Sequence, residues 1–199
     1  MDIKKIFLKN PRIFHIFQSI TSDNFQILKK VATKEVNKED RILDLGCGTG
    51  IFPKLVGKNY SNYIGVDINK DYVSTAKREN FKFDFAVMDA LNLAFKDGIF
   101  DVVFAMGLFH HLSDIQCKRV FQQIKKLILN EGKVIIIDAV YPQNPLNFLG
   151  YIWRKLDRGK YVRNFVKWSK LFGEDFVINK KYIERVRFIE YCVFVLSKA

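Results

Sequence analysis

Residues 43–50 read LDLGCGTG, a short apolar run that leads into a turn with glycine at every second position. The run predicts a buried strand over 41–46, and GIFPKLV (50–56) predicts a short helix directly after the turn. Glycines here let the backbone turn sharply and approach a ligand with no Cβ in the way, while the helix start offers free N–H groups. The segment therefore predicts a ligand-binding turn. A tight strand-to-helix turn without a ligand is the alternative for this segment alone.

The spacing of the glycines also indicates which ligand is bound. Dinucleotide pyrophosphate sites use G-x-G-x-x-G, whereas this chain has G-x-G-x-G. Asp44, two positions before Gly46, would in addition repel a pyrophosphate. Both observations disfavour an NAD-dependent oxidoreductase, which is the competing class of enzyme.

Two further acids lie at the ends of the next predicted strands. NYIGVDI (62–68) ends near Asp67, and FKFDFAVMD (81–89) ends at Asp89. In doubly wound folds an acid at the end of the second strand accepts hydrogen bonds from ribose hydroxyls. A solvated strand-end aspartate is the alternative for either acid by itself. Together with Asp44, the acids follow one edge of the predicted sheet and indicate one site.

Strand-like and helix-like segments alternate through the middle of the chain. The predicted strands are short and nearly all apolar, and include FDVVFAMG (100–107) and KVIIIDA (133–139). A helix is predicted from Ser113 to Asn130, with Gly132 as its left-handed cap. This alternation predicts a parallel, doubly wound α/β sheet with helices on both faces. The C-terminal residues 173–199 instead predict two adjacent antiparallel strands.

Composition sets the broad class of the protein. The chain has 199 residues, 49% hydrophobic and 27% charged, which predicts one folded domain. Its 33 basic and 21 acidic residues give a net charge of +12, which favours anionic partners. Three widely spaced cysteines support neither a disulfide framework nor a zinc site, so no metal is predicted. No apolar run is long enough for a membrane span or a signal peptide, so we expect a cytoplasmic protein.

Five segments resemble one known family in order and spacing. LDLGCGTG, YIGVDI, VMDALNLAF, FDVVFAMGLFHHL and LILNEGKVIIID are similar to the class I S-adenosylmethionine-dependent methyltransferases over about residues 38–140, and the terminal strand pair is similar more loosely. The resemblance implies a mostly parallel seven-stranded sheet of order 3-2-1-4-5-7-6 with strand seven antiparallel. It also implies S-adenosylmethionine as the cofactor.

The resemblance further implies which residues hold the cofactor. Asp67 would bind the ribose hydroxyls, Ile68 would contact the adenine, and Asp89 with Ala90 would bind the adenine amino group. The methionine end would be surrounded by Asp44, Gly46, Cys47, Gly48, Gly50, Met106 and Gly107. An acidic, glycine-walled crevice suits the cationic ammonium and sulfonium groups of this cofactor better than it suits a dinucleotide.

His110 and His111 follow the fourth predicted strand and are candidates for a general base. The alternative is that they support the loop or the helix that begins near Ser113. Asp138 is a second candidate base with the same alternative. The Asn/Asp-Pro-Pro-Tyr/Phe motif of base-directed amino methyltransferases is missing after this strand, which favours a small-molecule acceptor over a nucleobase.

Residues 151–170 concentrate positive charge and aromatic side chains. Seven basic residues stand against one acid, Asp157, so the segment carries +6. Arg158 and Arg163 are candidates to bind an anionic, phosphorylated or lipid-linked acceptor, because guanidinium pairs bidentately with phosphate. LDRGKYVR (156–163) is also similar to small bacterial methyltransferases associated with surface-polysaccharide or lipid-linked substrates. The alternatives are a solvated helix face, an RNA contact or a peripheral membrane contact.

We therefore predict one methyltransferase domain over 1–199. It divides into an N-terminal helical cap (1–38), a cofactor-binding core (39–140), a basic acceptor-side insertion (141–172) and the terminal strand pair (173–199). The predicted reaction is in-line transfer of a methyl group to a small-molecule, anionic or lipid- or sugar-linked acceptor. RNA methylation, or a non-catalytic cofactor-binding module, is the alternative.

Overall fold

A computed structural model of the protein describes residues 25–56, 62–80, 82–157 and 159–199. The predicted cap falls partly outside this set, since its residues 1–24 are not among those described. Seven strands form one sheet of order β3-β2-β1-β4-β5-β7-β6. The strands are β1 Ile42–Leu45, β2 Tyr63–Asp67, β3 Asp84–Val87, β4 Phe100–Met106, β5 Ile128–Ala139, β6 Phe176–Val186 and β7 Ile189–Lys198.

The pairing of the strands confirms the predicted topology. Strands β1 to β5 pair in parallel, and β7 pairs antiparallel with both β5 and β6. The chain order reverses between β1 and β4, so the connections after these two strands leave in opposite directions. In a sheet of this type the reversal opens a crevice at the carboxyl ends of the strands.

Helices cover both faces of the sheet. They are α1 Gln26–Glu35, α2 Ile51–Val56, α3 Lys70–Glu79, α4 Asp114–Leu127, α5 Phe148–Leu156 and α6 Phe165–Ser169, with a 3₁₀ turn at Phe109–His111. Neighbouring residues of β4 point to opposite faces: Val103 packs in the cluster that contains Ile124 of α4, and Phe104 packs in the cluster that contains Val31 of α1. Burial on both faces explains why these strands are apolar throughout rather than alternating.

Helix α4 begins as predicted and ends earlier than predicted. The Ser113 hydroxyl accepts from the backbone N–H of Gln116, whose side chain returns to Ser113 in a capping box. The helix ends at Leu127, and the fully buried Ile128 already pairs with Phe100 as the start of β5. The predicted cap at Gly132 is therefore wrong, because burial and pairing of Ile128 end the helix at Leu127, three residues before the predicted end at Asn130.

Gly132 lies instead in an irregular part of β5. The register between β4 and β5 shifts between the pairs Phe100–Ile128 and Val102–Lys133. A Cβ at Gly132 would lie 3.0 Å from the carbonyl oxygen of Leu129, so glycine permits the tight packing of this bulge.

The segment between β5 and β6 is folded onto the sheet. Trp168 of α6 is fully buried, and its Nε1–H donates to the carbonyl oxygen of Ala139 at the end of β5 (3.1 Å). Arg154 and Arg163 are also buried, at 5% exposure each. Among the described residues, no helix is long and apolar enough to cross a membrane.

Candidate functional site

A crevice of about 390 Å³ lies at the carboxyl ends of β1, β2 and β4. This volume is in the range of small-molecule and cofactor pockets. Of the predicted cofactor-binding residues, the crevice is lined by Asp44, Gly46, Cys47, Gly48, Asp67, Ile68, Asp89, Ala90, Met106 and Gly107. Gly50 lies outside the lining. The fold therefore brings ten of the eleven residues, drawn from four strand ends, to one cavity.

The glycine turn has the backbone that its sequence predicts. Gly46, Gly48 and Gly50 have φ of +72°, +55° and +74°, values that favour glycine. The backbone N–H groups of Gly46 and Cys47 donate to the carbonyl oxygen of Val66 (2.8 and 3.0 Å), which ties the turn to the end of β2.

Gly50 supports the turn from below rather than facing the cavity. A Cβ there would lie 2.6 Å from Nδ2 of Asn80 and 3.1 Å from Cζ of Phe85. The same Asn80 amide donates to the Gly50 carbonyl oxygen (3.2 Å). A side chain at this position would push the turn away from α3 and β3, so Gly50 acts on the cavity through packing.

Asp67, the last residue of β2, is held by backbone groups on both sides. Its Oδ2 accepts from Gly48 N–H (2.9 Å), and its Oδ1 accepts from Asn69 N–H (2.8 Å). Burial raises the pKa of this carboxyl, and these backbone hydrogen bonds oppose the rise. A carboxylate has about four acceptor positions. Asp67 therefore keeps acceptor capacity for hydroxyl groups of a ligand beyond these bonds.

Asp44 is almost fully buried behind the turn, and its Oδ2 accepts from the Tyr63 hydroxyl (2.7 Å). The pKa of Asp44 is raised to about 7, mainly by burial. The hydrogen bond from Tyr63 lowers this pKa, and the charge of Asp67 raises it further. The carboxyl is thus poised near neutral pH. A cationic ligand group next to it would favour its ionised form.

The far end of the crevice combines an exposed apolar residue with a third acid. Ile68 follows β2 directly and is 68% exposed, so it presents an apolar surface to the cavity. Asp89 lies two residues beyond β3, and its Oδ1 accepts from Leu91 N–H (2.9 Å). Together they suit a ring that has an apolar face and a polar edge.

Sequence reasoning missed several residues of the lining. Phe25 and Leu28 come from the start of α1, Tyr72 from α3, and Leu108 and Leu112 flank the 3₁₀ turn after β4. These are apolar or aromatic residues in ordinary core patterns. No motif distinguishes them from other core residues, and only the folded chain brings them to the wall of the crevice.

His110 lies outside the crevice lining and between two carboxylates. Its Nδ1 is 2.6 Å from Asp138 Oδ1, and its Nε2 is 3.5 Å from Asp157 Oδ1. Burial lowers the pKa of His110, but the charges and hydrogen bonds of the two acids outweigh it and raise the pKa to about 9. A protonated ring with both nitrogens engaged has no lone pair for a substrate proton. This geometry does not support the predicted role of His110 as a general base.

Asp138 is also engaged within the protein. Its Oδ2 accepts from Phe109 N–H (2.7 Å), and its Oδ1 accepts from Ala139 N–H (2.6 Å) and faces His110. It fixes the loop after β4 and is not arranged as a base. His111, by contrast, is exposed and lines the crevice, with its ring centroid 4.0 Å from that of His110.

The structure gives Arg163 an internal role in place of the predicted acceptor contact. Its Nε and Nη2 donate to Asp114 Oδ1, its Nη1 donates to the carbonyl oxygens of Phe109 and Tyr161, and its Nη2 also donates to that of Leu112. All five guanidinium N–H groups thus have protein partners, which leaves none for an acceptor. Arg158, the other predicted acceptor residue, lies outside the described residues.

These contacts fasten the insertion to the loop that borders the crevice. Asp157 reaches His110 as above, and the backbone N–H of Tyr161 donates to the carbonyl oxygen of His110 (2.9 Å). Arg163 completes the attachment at Phe109 and Leu112. The position of one wall of the crevice therefore depends on a segment about fifty residues later in the chain.

Comparison with known proteins agrees with this geometry. A family model described as a methyltransferase domain matches residues 42–132. The uncharacterized methyltransferase YcgJ of Bacillus subtilis is 24% identical over 84% of this chain and 68% of its own length. The demethylmenaquinone methyltransferase of Thermotoga maritima is 29% identical over 71% of this chain, which spans only 59% of that relative's length.

The fold is shared with solved structures as well. The crystal structure of the PH0226 protein from Pyrococcus horikoshii OT3 matches with a TM-score of 0.74 and 21% identity, over 94% of this chain and 99% of that one. The family model and the structure point to the same class of protein. The structure has the sheet order that the resemblance implied, and its crevice is lined by the G-x-G-x-G turn and the strand-end acids. The chain therefore has the fold of the class I S-adenosylmethionine-dependent methyltransferases, and its residues 42–132 match a methyltransferase domain.

Proposed function

We propose that this protein transfers a methyl group from S-adenosylmethionine to a small-molecule acceptor, and that the 390 Å³ crevice is the cofactor site. The observation that carries the proposal is the convergence of Asp44, Asp67 and Asp89 with the glycine turn on one cavity. When bound, S-adenosylmethionine supplies an activated methyl group on a positively charged sulfur.

Each end of the crevice fits one part of this cofactor. The acceptor capacity left on Asp67 suits the ribose hydroxyls. Ile68, Asp89 and Ala90 then form the adenine end. Asp44, buried and ionisable near neutral pH, faces the cationic methionine end with Met106, Gly107 and the glycine turn.

The chain's own contribution to the reaction is orientation and exclusion of water. The glycine turn is hydrogen-bonded to the end of β2, and the 3₁₀ turn after β4 is hydrogen-bonded to Asp138. Both turns would therefore help to orient the activated methyl group of a bound cofactor toward the acceptor. His111 is the predicted base that faces the cavity. We propose it as the proton acceptor for acceptors that lose a proton during transfer.

The proposed acceptor is anionic or carries a lipid or sugar group. Four lysines of the insertion are exposed and support an anionic acceptor: Lys155, Lys160, Lys167 and Lys170. The Thermotoga maritima relative is named for demethylmenaquinone, a small-molecule acceptor. We further propose that residues 1–199 form one domain with the divisions predicted above.

Calorimetry followed by a transfer assay tests the proposal. The protein should bind S-adenosylhomocysteine and not NAD. With S-adenosylmethionine labelled at the methyl group, it should label small molecules in a cell extract separated by polarity. Asp67→Ala is the loss-of-binding control. Binding of NAD alone would refute the proposal, and label that appears only in RNA, with steeply salt-dependent RNA binding, would favour the RNA alternative.

A further inference from the structure

Helix α5 and the turn before it carry an exposed row of large apolar side chains. The row consists of Leu146, Phe148, Leu149 and Ile152, which we call the apolar ridge. These residues are 88%, 67%, 58% and 40% exposed, respectively. Phe148 and Ile152 are one helical turn apart, and Leu149 lies beside them, so the three share one face of the helix.

The opposite face of α5 is firmly attached to the sheet. Arg154 donates from Nε to the carbonyl oxygen of Val140 (3.0 Å) and from Nη2 to that of Glu190. A Cβ at Gly150 would lie 2.6 Å from the carbonyl oxygen of Phe188, so the helix backbone packs directly on the β6–β7 turn. The orientation of α5 is therefore fixed by these contacts, and the ridge points outward as a consequence.

Positive charge lies next to the ridge at Lys155 and continues later in the insertion. Lys155 is exposed and lies one turn beyond Ile152, and Lys160, Lys167 and Lys170 are exposed farther along the chain. Asp157 is the single acid in residues 148–170, and it is already held by His110 and Arg154. Among the described residues, this segment therefore exposes apolar side chains together with lysine ammonium groups whose charge no acid of the segment balances.

We propose that the apolar ridge docks onto the surface of an anionic lipid bilayer. The ridge side chains enter the boundary between headgroups and acyl chains, while the lysine stems lie along the interface and their ammonium groups contact lipid phosphates. A second copy of this chain is a poor occupant, because two molecules of charge +12 would meet through the same basic segment. The proposal does not depend on methyl transfer or on the cofactor.

Docking in this way would present one end of the sheet to the lipid. The chain enters α5 from the carboxyl end of β5, and the crevice lies at the carboxyl ends of the neighbouring parallel strands β1 and β4. The ridge and the crevice thus lie toward the same edge of the sheet. An acceptor embedded in or bound to the membrane surface would then be at the correct end of the molecule.

Sedimentation of the full chain with lipid vesicles tests the proposal. The protein should bind vesicles that contain phosphatidylglycerol, bind pure phosphatidylcholine vesicles far more weakly, and release from the former as salt rises. The double variant Phe148→Ser, Leu149→Ser should lower the partition coefficient by at least about tenfold. Lys155→Gln should lower it by about fivefold.

Ile115→Ser and Val177→Ser are matched controls, since both residues are exposed and apolar and lie outside the ridge (69% and 49% exposed). They should bind vesicles like the wild type, and all variants should keep the wild-type melting temperature. Equal loss in the ridge and control variants would overturn the proposal. Vesicle binding that is independent of phosphatidylglycerol content and of salt would also overturn it. A concentration-dependent dimer that the ridge substitutions abolish would overturn it too, and would assign the ridge to self-association.

Discussion

The glycine turn and the insertion after β5 both place charged residues near the same edge of the sheet, but they use them differently. In the turn, Asp67 is held by two backbone N–H groups and keeps further acceptor capacity toward the crevice. In the insertion, every guanidinium N–H group of Arg163 has a partner inside the protein. A charged residue in a suggestive sequence segment is a ligand-binding candidate only if the fold leaves part of its hydrogen-bonding capacity open.

Removal of Arg163 should give the largest effect and should act on stability. Arg163→Ala removes five guanidinium hydrogen bonds, among them those to the carbonyl oxygens of Phe109 and Leu112. We therefore expect a loss of about 3–5 kcal/mol in the free energy of unfolding, measured with urea. Lys167→Ala, at an exposed lysine of the same segment, should change it by less than about 0.5 kcal/mol. Unchanged stability together with a raised acceptor KM would restore the sequence-based interpretation of Arg163.

Gly48→Val should weaken cofactor binding more than substitution of any single acid in the crevice. Its Cβ would enter a cavity that Gly48 lines, and the β-branched side chain disfavours a φ of +55°. We expect affinity for S-adenosylhomocysteine to fall by more than about a hundredfold. Gly98→Val is the matched control, because Gly98 has a φ of +63° with open space around it and lies outside the crevice lining. It should cost similar stability and leave affinity unchanged.

Asp67→Ala should weaken cofactor binding more than it slows turnover of bound cofactor. Loss of charge-assisted hydrogen bonds should cost about 1.5–3 kcal/mol, or roughly ten- to a hundredfold in Kd by calorimetry. Asp97→Ala, at an exposed acid elsewhere, is the control. A wild-type Kd in Asp67→Ala would show that the ribose lies elsewhere.

The smallest effect is a pH dependence from Asp44, whose pKa is raised to about 7 by burial. The ionised carboxylate favours a cationic ligand, and below pH 7 the carboxyl is increasingly protonated. Affinity for S-adenosylhomocysteine should therefore fall by up to about tenfold for each pH unit below 7 and level off above it. Asp44→Asn should bind more weakly at pH 8 and lose most of this slope. A wild-type slope in that variant would assign the titration to another group.

The two regions also differ in how much of them the sequence predicted. The crevice was predictable because its residues follow local rules: glycines where φ is positive, and acids such as Asp67 where parallel strands end. The sheet order followed from the family resemblance, and the structure confirms it. Local rules failed at Gly132, where a buried strand pair decided the end of the helix.

The insertion was not predictable in this way, because its contacts join residues far apart in the chain. Asp157 appears in the sequence as one acid among many cations, and only the fold places it against His110. The same holds for Arg163 and Asp114, which are 49 positions apart. Counting charged residues gives the net charge of the segment. It does not show which of its cationic side chains are exposed and which, like Arg163, are buried against partners in the protein.

The position of β7 between β5 and β6 has a consequence for synthesis of the chain. β5 is complete at Ala139, but its outer edge is paired only when β7, which ends at Lys198, is present. At ribosomal rates of about 5–20 residues per second, this apolar edge stays open for roughly 3–12 s. An open edge of this kind is a template for pairing with other chains. Every strand that borders the crevice is therefore translated before the strand that protects the nascent protein from aggregation.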